Sequence, residues 1–260
     1  MTRVGLIQMR CEKAAIAENL ERMNHYLAEA AALRVEIVGF PEMCLTGYAD
    51  PTHYLQVMLN LDGPEIARFL RLTRWFPGTI LVGFIEANPG GKPFITHIAA
   101  RQGVLSGVYR KITIRDEEVE WFTAGQSVPV FQHDGLIFGV AICADLKNRQ
   151  VFSQISRQGA RLIFELAAPG LYGAQETRDW QAGYEWWQAE CQEYLASYAR
   201  DDNAWILVAT QAGRTVDEDF PGGAFVFAPS GKRVIASPDG SPGAVFLEID
   251  LDNGIVRELS

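Results

Sequence analysis

The sequence predicts a mixed α/β fold that is rich in strands. Three observations carry this prediction: strand-like and helical patterns alternate at the start of the chain, apolar runs separated by hairpin turns fill its middle, and one long segment repeats aromatic residues at helical spacing. Of the 260 residues, 48% are hydrophobic, so the chain can bury a large core without a disulfide or a metal. No linker-like or low-complexity stretch interrupts it, and we expect residues 1–260 to form one domain.

The N-terminal part of the chain predicts two strand–helix units. Residues 3–9 alternate as a short strand does, and residues 13–32 carry apolar side chains at helical spacing. The apolar run 35–40 ends at Pro41, and Pro64 suits the first turn of a second helix. Polar residues after the second strand would lie at its carboxyl end, where α/β proteins commonly bind ligands.

The rest of the chain predicts hairpins, one long helix and further strands. Turn sequences separate strand-like runs, which indicates antiparallel pairing. The predicted strands are three runs within 79–109, then 128–133, 136–142, 160–165, 205–211, 223–227, 232–236 and 244–250. The predicted helix 177–200 carries one stripe, made of Trp180, Tyr184, Trp187, Cys191, Tyr194 and Tyr198. We expect this stripe to pack in the core or between subunits.

Charge and composition exclude several classes of partner. The formal net charge is −9 with a pI near 5.0, and no cluster of Lys and Arg could neutralise a run of phosphates, so we expect no nucleic-acid partner. No apolar segment is long enough to span a bilayer and no signal-peptide pattern follows Met1, so we expect no membrane association and a cytoplasmic protein. The four cysteines lie far apart and form no C-x-x-C pair, which suggests neither a zinc site nor a disulfide framework.

Cys143 is the cysteine whose position favours chemistry. A nucleophilic thiol needs a charged neighbourhood and solvent access. Cys143 follows the apolar run 136–142 and precedes the polar run 145–149, so it lies where a buried strand opens onto a loop or a helix start. By contrast, Cys191 falls on the aromatic stripe, and Cys11 lies between a strand and a helix. Composition and spacing alone still leave a buried structural cysteine as the alternative.

Three segments, each at a strand end, together resemble the nitrilase superfamily of carbon–nitrogen hydrolases, in the order that the family has them. Residues 39–48 (GFPEMCLTGY) look like the segment of the general base, which falls on Glu42. Residues 109–111 (YRK), followed by Glu118 and by 122–125 (FTAG), look like the lysine segment. Residues 139–145 (GVAICAD) look like the nucleophile segment, and weaker similarity covers nearly the whole chain.

The resemblance implies a role for each matching residue. Glu42 would be the general base and Cys143 the nucleophile, while Lys111 and the backbone N–H of Ala144 would hold the oxyanion. Glu118 would keep Lys111 charged and in place, although the adjacent Glu117 could take the same part. Tyr48 would contact the substrate. A solvated loop carboxylate and a surface lysine are the alternatives for Glu42 and Lys111, and no metal or organic cofactor is implied.

The resemblance also implies a fold, an activity and an assembly. The fold would be a four-layer α-β-β-α sandwich with two mixed sheets. The substrate would be a small amide or N-carbamoyl compound, cleaved through a thioester with release of ammonia or amine. A nitrilase, a catalytically silent binding or scaffold protein with this fold, and a redox-sensing thiol at Cys143 are the alternatives. Members usually associate, so we expect a homodimer or larger homo-oligomer, with the aromatic stripe as candidate contact.

The sequence departs from the family pattern at several positions. Thr113 stands where many members have a histidine, and the gap from Lys111 to Glu118 is short. The Phe-Pro-Glu that often follows the nucleophile is missing after Cys143. These changes concern the pocket walls more than the three central residues, so the sequence does not name the substrate.

Overall fold

A computed structural model of the chain describes residues 1–259. Its α-helices are α1 (Ile16–Ala32), α2 (Pro64–Thr73), α3 (Glu118–Trp121), α4 (Arg149–Arg157) and α5 (Trp180–Asp201). Its strands are β1 (Thr2–Gln8), β2 (Ile37–Gly39), β3 (Thr79–Glu86), β4 (Phe94–Arg101), β5 (Val104–Arg110), β6 (Val130–His133), β7 (Leu136–Ile142), β8 (Leu162–Ala167), β9 (Trp205–Thr210), β10 (Ala212–Arg214), β11 (Asp219–Pro221), β12 (Ala224–Phe227), β13 (Arg233–Ala236), β14 (Gly243–Asp250) and β15 (Ile255–Glu258). Short 3-10 helices span Leu55–Val57, Cys143–Lys147 and Gln175–Thr177.

The strands form two mixed sheets and one separate hairpin. The first sheet has the order β15-β14-β1-β2-β3-β4-β5, and the second has the order β13-β12-β9-β8-β7-β6. In each sheet the central strands are parallel, β1-β2-β3 in the first and β7-β8-β9 in the second, whereas the outer strands pair antiparallel. Strands β10 and β11 form the hairpin.

The two sheets pack face to face, and helices cover their outer faces. Gly39 in β2 permits this approach, because a Cβ added there would lie 2.9 Å from Leu166 and 3.0 Å from Phe164 of β8. On the outer face of the first sheet, α1 and α2 share one hydrophobic core with alternate strand residues. On the outer face of the second sheet, α4 places Ile155 against Gly139. The predicted four-layer α-β-β-α sandwich is confirmed.

The aromatic stripe of α5 packs against its own chain. Tyr184, Trp187, Cys191 and Tyr198 are buried, and the Trp187 indole donates a hydrogen bond of 2.8 Å to the Thr210 hydroxyl in β9. The buried members are therefore unavailable for contact with a second copy. The homo-oligomer stays a prediction.

Some elements were not predicted from the pattern. Helix α4, the hairpin of β10 and β11, and the last strand β15 are each short, and their apolar residues are too few to establish a period.

None of the helices within residues 1–259 combines the length and the apolar composition that a bilayer crossing requires.

Candidate active site

The three family segments meet at the ends of strands from both sheets. Glu42 follows β2, Lys111 follows β5 directly, and Cys143 follows β7 directly. Glu118 begins the short helix α3. Because the two sheets are stacked with these strand ends together, residues far apart in the chain become neighbours in the interior.

Cys143 occupies a strained turn between strand β7 and a 3-10 helix. Its backbone is left-handed, with φ at 45°, which is a costly conformation for a residue with a Cβ. The Asp145 carboxylate accepts a hydrogen bond of 3.0 Å from the backbone N–H of Ile142 and so closes the turn. Unlike the other three cysteines, Cys143 is not fully buried. The turn thus presents the thiol at the end of a buried strand.

Lys111 is a buried ammonium held between two carboxylates. Its Nζ lies 2.8 Å from Oε1 of Glu42 and 2.7 and 2.9 Å from the two carboxylate oxygens of Glu118. Burial alone would lower the pKa of Lys111, but the two carboxylates outweigh it and raise this pKa well above its usual range. Lys111 is therefore a fixed positive charge in a water-poor interior. Glu117, the alternative partner that the sequence left open, is exposed and makes no such contact.

Glu42 is a buried carboxylate that is poised to exchange a proton. Its Oε1 accepts from Lys111, and its Oε2 accepts a hydrogen bond of 3.1 Å from the backbone N–H of Ala168, just after β8. Burial raises the pKa of Glu42 to about 7, against the opposing effect of Lys111. The thiol of Cys143 also interacts with this carboxylate. A carboxylate with this pKa can accept and return a proton near neutral pH.

The Cys143 thiol is protonated at rest. Burial raises its pKa well above the usual value, and the negative charge of Glu42 raises it further, whereas Lys111 lowers it. A thiol in this state reacts only if a base removes its proton as the bond to carbon forms. The arrangement therefore suits general-base activation by Glu42 rather than a preformed thiolate.

A hydrogen-bond network around Asp145 joins the lysine segment to the nucleophile turn. Asp145 is fully buried and accepts from the Tyr109 hydroxyl at 2.6 Å and from the backbone N–H of Thr113 at 2.8 Å. Thr113 in turn accepts from the side chain of Asn148 at 3.1 Å. Sequence reasoning missed the roles of Tyr109 and Asp145, although both stand inside the quoted motifs. An aspartate directly after a buried strand was the available signal.

An open cavity of about 730 Å³ leads from the surface to Cys143. Lys111, Glu118, Ala144 and Tyr48 all line it, so the cavity wall contains every predicted site residue except Glu42. Glu42 is completely buried behind Lys111. The Tyr48 hydroxyl donates a hydrogen bond of 2.8 Å to Glu118, so this phenol supports the carboxylate beside Lys111 as well as forming part of the wall.

A buried glutamate and lysine beside a partly buried cysteine, at the strand ends of an α-β-β-α sandwich, define a protein of the nitrilase superfamily. The family model for carbon-nitrogen hydrolase matches residues 3–255. The chain therefore belongs to the carbon–nitrogen hydrolase family.

Two curated relatives illustrate the range of this family. The chain is 26% identical over 258 residues to Hydrolase Rv0480c of Mycobacterium tuberculosis, covering 96% of this chain and 90% of that protein. It is 23% identical over 255 residues to the glutamine-dependent NAD(+) synthetase of Acinetobacter baylyi, covering 96% of this chain. The chain spans only 44% of the length of that synthetase.

Among solved structures, the chain is similar to an amidase of the nitrilase superfamily from Nesterenkonia AN1. The TM-score is 0.81 at 19% identity, and the match covers 94% of this chain and 89% of the amidase. A variant of that amidase carries the acetamide moiety of fluoroacetamide covalently added at its active-site cysteine, and it matches with a TM-score of 0.82 at 18% identity, covering 97% of this chain and 91% of that one. At these identities the likeness concerns the fold.

Proposed function

We propose that the protein hydrolyses a non-peptide C–N bond in a small amide or N-carbamoyl compound through a thioester on Cys143. The observation that carries this proposal is the contact of Lys111 with both Glu42 and Glu118 beside a protonated thiol. This cluster has a nucleophile and a fixed cation on the wall of one cavity, and a base with a pKa of about 7 in contact with the cation. Acyl transfer needs these three parts.

In the first half of the reaction, Glu42 takes the thiol proton as the Cys143 sulfur attacks the carbonyl carbon. The oxyanion that forms receives hydrogen bonds from Lys111 and from the backbone N–H of Ala144. Lys111 already uses its three N–H donors on Glu42 and on the two oxygens of Glu118, so it gives up one contact with Glu118 to reach the oxyanion. The C–N bond then breaks, and the leaving nitrogen takes the proton from Glu42.

In the second half, water replaces the leaving group. Glu42, ionised again, removes a proton from water as its oxygen attacks the thioester carbon. The C–S bond breaks, Cys143 recovers its proton from Glu42, and the carboxylic or carbamic acid leaves. The reaction needs no oxidant or reductant, because the carbonyl carbon exchanges its C–N bond for a C–O bond and keeps its oxidation state.

The charge of the cavity wall favours neutral or cationic substrates over anionic ones. More carboxylates than basic groups line the cavity. The carboxylates are those of Asp50, Asp116, Glu117, Glu118, Glu190, Asp217 and Glu218, and the basic groups are those of Lys13, Lys111, Arg115 and Lys147. Lys13 and Lys147 are already paired with carboxylates. The potential at the entrance is therefore negative, which lowers the local concentration of an anionic substrate.

The test is ammonia release from a panel of simple amides, ω-amides, N-carbamoyl compounds and nitriles, with the wild type beside Cys143→Ala. We expect release from amides or carbamoyl compounds that the variant abolishes, together with a covalent acyl adduct on Cys143 seen by intact-protein mass. Release from nitriles alone would replace the proposal with a nitrilase. Absence of release from every compound, with Cys143 inert to iodoacetamide, would favour a silent binding protein.

A further inference from the structure

Glu165 is a carboxyl group buried directly behind the nucleophile turn, and the proposed reaction does not use it. It lies in β8, where it pairs with Ala141 of β7, two residues before Cys143. Phe164 and Leu166, its neighbours in β8, face the first sheet at Gly39. Because side chains alternate along a strand, Glu165 points the other way, into the layer between the second sheet and α5.

The Glu165 carboxyl has no hydrogen-bond partner. The side chain is completely buried, and neither oxygen is paired with any group in the part of the chain that the structure describes. The two other buried acids nearby differ sharply, because Glu42 is paired with Lys111 and Asp145 with Tyr109. An unpaired buried carboxyl destabilises a fold, so its presence here calls for a compensating function.

The group that Glu165 faces is the backbone of Cys143. The N–H of Cys143 lies close enough to the carboxyl to favour its charged form, although the pair does not reach full hydrogen-bond geometry. This N–H belongs to the residue with the strained, left-handed backbone. An acceptor at this position would hold the turn in the conformation that presents the thiol, and such contacts commonly tighten when substrate binds.

Burial favours the uncharged form of the Glu165 carboxyl. Burial raises its pKa well above the usual value, and the nearby carboxylates Asp145 and Glu42 raise it further, against the weaker opposing effect of Lys111. The remaining titratable groups that face it are the Cys143 thiol, the Tyr109 phenol from β5, and Cys191 and Tyr198 from α5. None of these supplies a positive charge.

We propose that Glu165 is a positioning residue for Cys143: its buried carboxyl accepts the Cys143 backbone N–H and holds the turn that presents the thiol. The inference rests on the proposed function for its kinetic test alone. A second readout, the rate at which iodoacetamide alkylates Cys143, needs no substrate.

The experiment compares Glu165→Gln, which keeps a neutral acceptor, with Glu165→Leu, which removes the acceptor at similar volume. Cys191→Ala is the matched control, since it alters the packing next to Glu165 and keeps the carboxyl. We expect Glu165→Gln and the control to retain kcat within about threefold, and Glu165→Leu to lose at least about tenfold in kcat with little change in KM. The thermal midpoint of Glu165→Leu should equal or exceed that of the wild type, because an unpaired buried carboxyl is gone.

The pH dependence of alkylation separates a positioning role from an electrostatic one. If Glu165 is neutral, the profiles of wild type and Glu165→Gln coincide between about pH 6 and pH 8. A profile displaced to lower pH in Glu165→Gln would show that the wild-type carboxyl acts on the thiol through its charge rather than as a positioning acceptor, which would overturn the proposal. Full kcat in Glu165→Leu, or activity that falls in both variants in step with the thermal midpoint, would also overturn it.

The two proposals can fail separately. If the wild type releases ammonia from no compound, the proposed function fails, and slower alkylation of Cys143 in Glu165→Leu would still support the positioning role. If Glu165→Leu does not fold, the Glu165→Gln profile still tests the proposal, because a displacement to lower pH would overturn it.

Discussion

Tyr109 donates a hydrogen bond of 2.6 Å to Asp145, and this contact ties the strand that leads to Lys111 to the turn that carries Cys143. Tyr109 lies in β5 of the first sheet, and Asp145 lies in the 3-10 helix that follows β7 of the second sheet. The distance between the cation and the thiol therefore depends on a contact outside the group of reacting residues. Both side chains are buried, so the bond is protected from water.

Removing this bond should weaken both the fold and the reaction. Tyr109→Phe leaves one Asp145 oxygen with fewer donors, and we expect it to lower the free energy of unfolding by about 1 to 2 kcal/mol. We also expect kcat to fall, because the Cys143 turn loses part of its support. Urea unfolding and ammonia release measure the two effects. Tyr194→Phe on α5 is the control, and an equal loss of kcat there would show that the Tyr109 contact has no special role.

The activity should depend on pH through Glu42. Burial raises the pKa of this carboxyl to about 7, and the base acts only when it is ionised, which is above that pKa. We therefore expect kcat/KM to fall about tenfold for each pH unit below about 7 and to level off above it. Initial rates of ammonia release across this range, with fold checked by circular dichroism, provide the test. A flat profile between about pH 5 and pH 7 would be incompatible with Glu42 as the base.

Glu118 and Glu117 should respond differently to the same substitution. Glu118→Gln removes a charge in contact with Lys111, and we expect kcat to fall by about 10- to 100-fold because the ammonium loses its fixed position. Glu117→Gln alters an exposed neighbour and should leave kcat within about twofold. Steady-state kinetics of both variants decide between the two residues. Equal losses would mean that Glu118 contributes no more than the general charge of the wall.

The acidic cavity wall should discriminate between substrates by charge. For two active amides of equal size, one ending in an ammonium and one in a carboxylate, we expect kcat/KM to favour the cation by about tenfold at low salt. The preference should shrink as ionic strength rises, because salt screens exposed charges. Asp116→Lys should reduce the preference for the cationic substrate. Glu120→Lys, which lies outside the cavity wall, is the control and should leave this preference unchanged. A preference for the anion in the wild type would contradict this account of the entrance.

Much of the fold could be predicted because its main elements are long and periodic. The strand–helix alternation at the start, the hairpins of β3 to β5 and the long helix α5 all have patterns that local sequence determines. Helix α4 could not be predicted, because only three of its nine residues are buried. The four-layer arrangement was predicted only from the family resemblance, because the periodicity of a segment does not say which sheet its strand joins.

The candidate site, like the fold, could be predicted from the sequence only in part. Glu42, Lys111 and Cys143 were found through motifs at strand ends, and the structure brings Lys111 together with Glu42 and Glu118. Glu165 was passed over as an ordinary strand residue. Its surroundings come from β5, β7 and α5, so its isolation emerges only after folding. A charged residue inside the apolar run LIFELA was the one local sign.

The pairing of β1 with β14 has a consequence for synthesis in the cell. Strand β1 leaves the ribosome long before its antiparallel partner β14, with Thr2 opposite Ile249 and Gln8 opposite Gly243. One edge of the first sheet therefore stays open while almost all of the remaining chain is translated. An open strand edge can pair with other nascent chains. Slow translation or a premature stop before β14 should thus lead to aggregation, and the protein should depend on chaperones until its last strands emerge.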